Sequence, residues 1–153
     1  MKELPQSSDT YQVYFFSCPA HKPFHFARHL WVVTVSPKGI DRFEVLYKKE
    51  SSKERYGYIH KNNYAPTQGI RKFPGSTLFW KSTLISRVTG NEGSLAERIT
   101  QFIYAYSSDY LYKDTYRSYP GPNSNTYIAW ILSKFPEANI RLPWNAFGKN
   151  YLK

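Results

Sequence analysis

Two runs of aromatic and β-branched residues stand close together near the start of the chain, and they restrict the fold more than any other feature. Tyr11-Gln-Val-Tyr-Phe-Phe-Ser-Cys18 reads as a buried strand that Pro19 ends, and His29-Leu-Trp-Val-Val-Thr-Val35 reads as a second strand. Ser36-Pro-Lys-Gly39 is a turn signal, and the alternating Asp41-Arg-Phe-Glu-Val-Leu-Tyr47 pairs naturally with the second run as a hairpin. Tyr56 to His60 is expected to form a short strand and Leu78 to Val88 another strand or hairpin arm, with a charged loop from Lys48 to Arg55. Helix signals come only later. Ser94 and Glu97 have the spacing of a capping box ahead of Leu95, Ile99, Phe102, Ile103 and Tyr106 on one face. Asn123 is the expected N-cap of a second helix that carries Tyr127, Ile128, Ile131, Leu132 and Phe135 and stops at Pro136. Strands first and helices after predict an α+β domain with a mostly antiparallel sheet and packed helices.

The length, 153 residues, suits a single domain spanning 1–153, with residues 1–9 expected to be flexible. Aromatic residues make up 18% of the chain, so most rings are expected in the core or in pocket walls. The tail Leu142-Pro-Trp-Asn-Ala-Phe-Gly-Lys-Asn-Tyr151 is too apolar for a loose end, and Trp144 and Phe147 are expected to be buried. The N-terminus has no apolar stretch of the signal-peptide kind, and no run reaches the length of a spanning helix. One cysteine, Cys18, leaves no internal disulfide. These features together predict a cytoplasmic protein. The net charge of +10 favours an anionic partner such as nucleic acid, acidic lipid or an acidic protein, although no nucleic-acid motif is present. Composition says nothing of the oligomeric state.

Chemistry is most plausible where Pro120-Gly-Pro-Asn-Ser-Asn-Thr-Tyr127 opens the second helix. Free first-turn N–H groups and the helix dipole favour anions there, and a nucleophile at that turn has oxyanion donors beside it. Ser124 falls at the first helical position, with Asn123, Asn125 and Thr126 as binding or oxyanion residues. The same residues also make a well-capped helix start with no further role. His29, at the mouth of a strand, is the natural base for Ser124, with His60, Glu44 and Asn145 as candidates to orient it. His21, His25 and His29 are spaced by four, but Pro23 interrupts any helix, so neither a metal nor a cofactor is expected. Cys18, ending a buried strand, reads as a small hydrophobe rather than a nucleophile.

Asn123-Ser-Asn-Thr-Tyr127 resembles the Asn-Cys-Asn-Thr-Phe motif of the PPPDE peptidases, with serine in the cysteine position. Those enzymes belong to the permuted papain-like branch of the NlpC-type hydrolases, which includes the lecithin-retinol acyltransferase group. The resemblance implies a histidine at the start of an early strand, where His29 stands, and a nucleophile opening a later helix, where Ser124 stands. It also implies hydrolase-like chemistry on an amide, thioester or ester. A serine hydroxyl is far less acidic than a thiol beside histidine, so the alternative is a non-catalytic binding module for an anionic ligand on the same scaffold. Through Pro120–Tyr127 and Leu142–Tyr151 the whole chain also resembles a bacterial family, domain of unknown function 3750.

Overall fold

The computed structural model describes residues 3–47 and 54–152, so most of the expected charged loop from Lys48 to Arg55 lies outside the described residues. The strands are β1 (Tyr11–Pro19), β2 (Arg28–Ser36), β3 (Gly39–Val45), β4 (Glu54–Tyr56), β5 (Ile59–Lys61) and β6 (Thr83–Gly90), and the helices are α1 (Leu95–Tyr106) and α2 (Ser124–Ser133). All pairings are antiparallel, in the order β4-β5-β3-β2-β1-β6. The architecture is α+β: an open antiparallel sheet with two helices.

Alternation along the strands gives the sheet two buried faces. Val13, Phe15, Leu30, Val32, Phe43, Val45 and Ile59 point to one side, where Ile99 and Ile103 of α1 and Tyr127, Ile128 and Ile131 of α2 cover them. Tyr14, Phe16, Cys18, Trp31, Val33 and Val35 point to the other and meet Leu46 and Ile70, with Tyr64 and Trp80 packed alongside. This second cover is the irregular segment 62–82. It is anchored where Trp31 donates to the Pro66 carbonyl at 2.9 Å and Trp80 to the Ala20 carbonyl at 3.1 Å. Within it, residues 78–82 stay outside the strand, which begins at Thr83 rather than Leu78.

Both helix starts use the expected caps. Ser94 Oγ accepts from the Glu97 amide at 3.3 Å, but the Glu97 carboxylate takes the Gly93 amide, one residue earlier than a strict capping box places it. The tail is ordered, but not by burying its rings. Trp144 is 81% exposed and Phe147 half-buried; Ala146 is the buried residue, and the tail is held through its backbone. The expectation that Trp144 is buried is therefore corrected: the carbonyls of Phe147 and Gly148 bind side chains of Asn123, Asn125 and Thr126 at the start of α2, so the tail is held without the indole, which stays in solvent.

Candidate functional site

The start of α2 is a hydrogen-bonded junction. Asn123 is extended (φ −148°), and its Oδ1 accepts from the amides of Asn125 at 2.9 Å and Thr126 at 3.3 Å. Its Nδ2 donates to the carbonyls of Ser118 and Phe147, both at 3.0 Å. Thr126 Oγ1 accepts from the Asn123 amide at 3.1 Å and lies 2.8 Å from the Gly148 carbonyl, to which it donates. Gly148 has φ +97°, and a Cβ there would stand 2.4 Å from Asn123 Oδ1, so only glycine lets the tail come this close.

Asn125 carries the junction to the sheet. Its Nδ2 donates to the carbonyls of Phe147 at 2.7 Å and Arg28 at 2.8 Å. The Arg28 amide in turn donates to the Asn145 carbonyl at 3.1 Å, and Asn145 Nδ2 donates to the Phe26 carbonyl at 2.7 Å. Three segments distant in sequence therefore meet at the first residue of β2. Ser124 is buried at 6% exposure, with its hydroxyl 3.4 Å from Asn125 Oδ1.

His29 follows Arg28 directly, yet its side chain leaves on the sheet face opposite α2, beside Trp31 at 6.0 Å between ring centroids. Its Nε2 lies 2.8 Å from Glu44 Oε2, which also accepts from Arg42 Nη2 at 2.8 Å. Glu44 and Arg42 are fully buried. The guanidinium sits 4.2 Å over the Trp31 ring and donates to the carbonyls of Ala65 and Gln68. Burial by itself would raise the Glu44 carboxyl pKa, but the Arg42 charge and the His29 hydrogen bond outweigh it, and the net shift is downward. His60 is the cross-strand partner of Glu44 and is also buried. Cys18 is the cross-strand partner of His29, and burial pushes its thiol up to about 12, far from a reactive thiolate.

Asn123, Ser124, Asn125 and Thr126 are thus together, while Ser124 and His29 share no hydrogen bond. Of the three orienting candidates, Glu44 holds the imidazole, and Asn145 holds the loop before it. Among the described residues no group of three or more His, Cys, Asp and Glu side chains is placed to hold a metal ion, and no helix is long and apolar enough to cross a membrane. Sequence reasoning missed Arg42 as a buried cation and the tail carbonyls as partners of α2. The signal for the first was present: Arg42 and Glu44 alternate with Phe43 and Val45, and the sheet is covered on both sides. Beside the junction lies a cavity of about 250 Å³ lined by Tyr119, Pro120, Trp144, Phe147, Lys149 and Tyr151 among others.

Comparison with curated proteins and with solved structures finds no match. The family described as "Protein of unknown function (DUF3750)" matches residues 10–151, nearly the whole chain including both the Asn123–Thr126 junction and the tail that closes it, and the chain belongs to this DUF3750 family.

Proposed function

We propose that this chain is a non-catalytic binding module for an anionic ligand or partner, built on a hydrolase-like scaffold of the permuted papain type. The net charge of +10 supports the anionic partner, and one observation carries the non-catalytic part of the reading: the groups that acyl-transfer chemistry would use are engaged within the chain. The first-turn amides of Asn125 and Thr126 are taken by Asn123, the Ser124 hydroxyl faces Asn125, and His29 is turned to Glu44. An oxyanion hole requires donors aimed at the reacting oxygen. The scaffold part rests on the late helix whose N-terminus is tied to the start of an early strand through Asn125 and Arg28. A fluorophosphonate should therefore leave the wild-type chain unlabelled. Labelling that disappears in both Ser124→Ala and His29→Ala would overturn the reading.

The second reading, a hydrolase acting on an amide, thioester or ester through Ser124 and His29, draws on the 2.8 Å contact between His29 and Glu44 and requires the imidazole to turn to the α2 side of the sheet. A carboxylate-held imidazole is the usual form of a general base. Ser124→Cys separates the two. On the binding reading, the introduced thiol reacts with iodoacetamide no faster than an ordinary cysteine. On the hydrolase reading, it reacts much faster, because histidine and the helix N-terminus lower its pKa.

A further inference from the structure

The loop between β1 and β2 and the tail bring a set of exposed rings together. Phe24 is 58% exposed, Phe26 61%, Tyr119 75% and Trp144 81%. They form one connected knob around Phe147, whose ring packs edge-on with Phe26 at 6.4 Å, Tyr119 at 6.2 Å and Trp144 at 6.4 Å, while Phe24 packs against Phe26 at 6.3 Å. The exposure is not that of a frayed loop. The Ala20 amide donates to the Ala27 carbonyl, the Ala27 amide to the Phe24 carbonyl, and Asn145 Nδ2 to the Phe26 carbonyl. A hydrogen-bonded framework thus holds an apolar knob in solvent, and contiguous exposed apolar surface of this kind marks an interaction site.

The segments that carry the knob have charge of one sign. No Asp or Glu occurs between Asp9 and Asp41, between Glu54 and Glu92, between Asp114 and Glu137, or in 138–153. The segments that meet at this end come from these stretches. Lys22 hydrogen-bonds through its amide to the Lys72 carbonyl, and both ammonium groups lie near the Trp80 ring. Arg117 and Arg141 are exposed on the segments that carry Tyr119 and Trp144.

We propose that this aromatic and basic end of the molecule docks on an anionic lipid surface, with Phe24, Phe26 and Trp144 entering the headgroup region and the surrounding cations facing the lipid charge. The inference rests on the binding-module reading and gives it a partner. Large rings at loop tips with cations around them suit the boundary between headgroups and acyl chains. Single-stranded nucleic acid fits less well. It needs a series of similarly oriented ring faces on which successive bases can stack, whereas these rings stand steeply to one another, at interplanar angles of 68° to 89°.

The test is sedimentation of the whole chain with phosphatidylcholine vesicles, with and without phosphatidylglycerol, at two salt concentrations. The chain should bind the phosphatidylglycerol vesicles, more weakly at high salt. Its tryptophan emission should shift to the blue, because Trp144 is the most exposed of the four tryptophans, with Trp31 buried and Trp80 and Trp130 partly buried. Trp144→Phe should lose the shift and keep the binding. The double substitution Phe26→Ser/Trp144→Ser should weaken binding by about tenfold or more, since two rings lose their burial. Absence of binding to phosphatidylglycerol vesicles at low salt would overturn the proposal, and so would undiminished binding by the double variant. Retention of a single-stranded oligonucleotide through the same rings, with no vesicle binding, would also overturn the lipid assignment while leaving the binding-module reading standing. Fluorophosphonate labelling of Ser124 with vesicle binding intact would do the reverse.

Discussion

The face of the sheet under α1 and α2 is closed by regular structure and is mainly apolar, with Ile99, Ile103, Ile128 and Ile131 fully buried and its buried polar groups, such as Thr100, Ser107 and Asn125, uncharged. The face under segment 62–82 is closed by a chain without regular repeat, and it contains the Arg42–Glu44–His29 group. The contrast has a physical cause. A helix has already spent its backbone carbonyls on itself. An irregular segment still has carbonyls to offer, and Arg42 takes those of Ala65 and Gln68. Burying charge in that layer is possible because its cover supplies acceptors, and the Trp31 and Tyr64 rings stack on what remains.

Breaking the polar layer should cost most. Glu44→Ala leaves Arg42 buried without its counter-charge and should destabilise the fold by about 3–5 kcal/mol, measured by urea unfolding. Arg42→Met combined with Glu44→Leu should cost far less than the two single losses together, and full additivity would show that the two charges are not coupled. The pair also sets an acid limb. The Glu44 pKa is lowered in the fold, so its contribution is present above the ordinary value of 4.5 and is lost as pH falls below it. Glu44→Gln should make that limb shallower. On the helix-covered face, Ile131→Ala should cost about 2–4 kcal/mol through the cavity it leaves, with no change in the pH profile. A shift of the acid limb in that variant would blur the distinction between the faces.

The smallest effect is expected at Cys18. Burial raises its pKa from 9.0 to about 12, so the stability of the protonated thiol is complete below pH 9 and is lost as pH rises toward 12. Cys18→Ala should remove only part of that alkaline limb, because burial also raises Tyr110 and Tyr127. At pH 8, iodoacetamide should modify Cys18 only through global unfolding; faster reaction would mean that the polar layer opens locally.

The strand runs before Ser36, the hairpin to Val45, and the caps Ser94 and Asn123 were all legible, because each rests on a local pattern of polarity or turn chemistry. The face on which His29 lies was not legible. Alternation tells which residues share a side with Trp31, but not which side a helix ninety residues later will cover. Trp144 misled for another reason. Ring size predicts burial on average, yet the tail is held by the carbonyls of Phe147 and Gly148, and no side-chain pattern announces that. The Asn123-Ser-Asn-Thr segment is legible as a capped helix start, but its partners in the tail and in β2 are backbone atoms, which a sequence leaves anonymous.

The position of β1 inside the sheet, next to the edge strand β6, also bears on the order of assembly. One of its edges is filled by β2, which arrives after a short loop, and the other by β6, which arrives after a stretch roughly eight times longer that contains β2 to β5, so on the logarithmic law of chain closure the second pairing costs about 1.5–2 kcal/mol more in entropy. The β1–β2–β3 meander can form from near neighbours alone, whereas β6, and α1 packed beside it, must wait for the distant ends to meet. Until they do, β1 presents an open edge to any other extended chain nearby, and the growing sheet is most exposed to mispairing on that side.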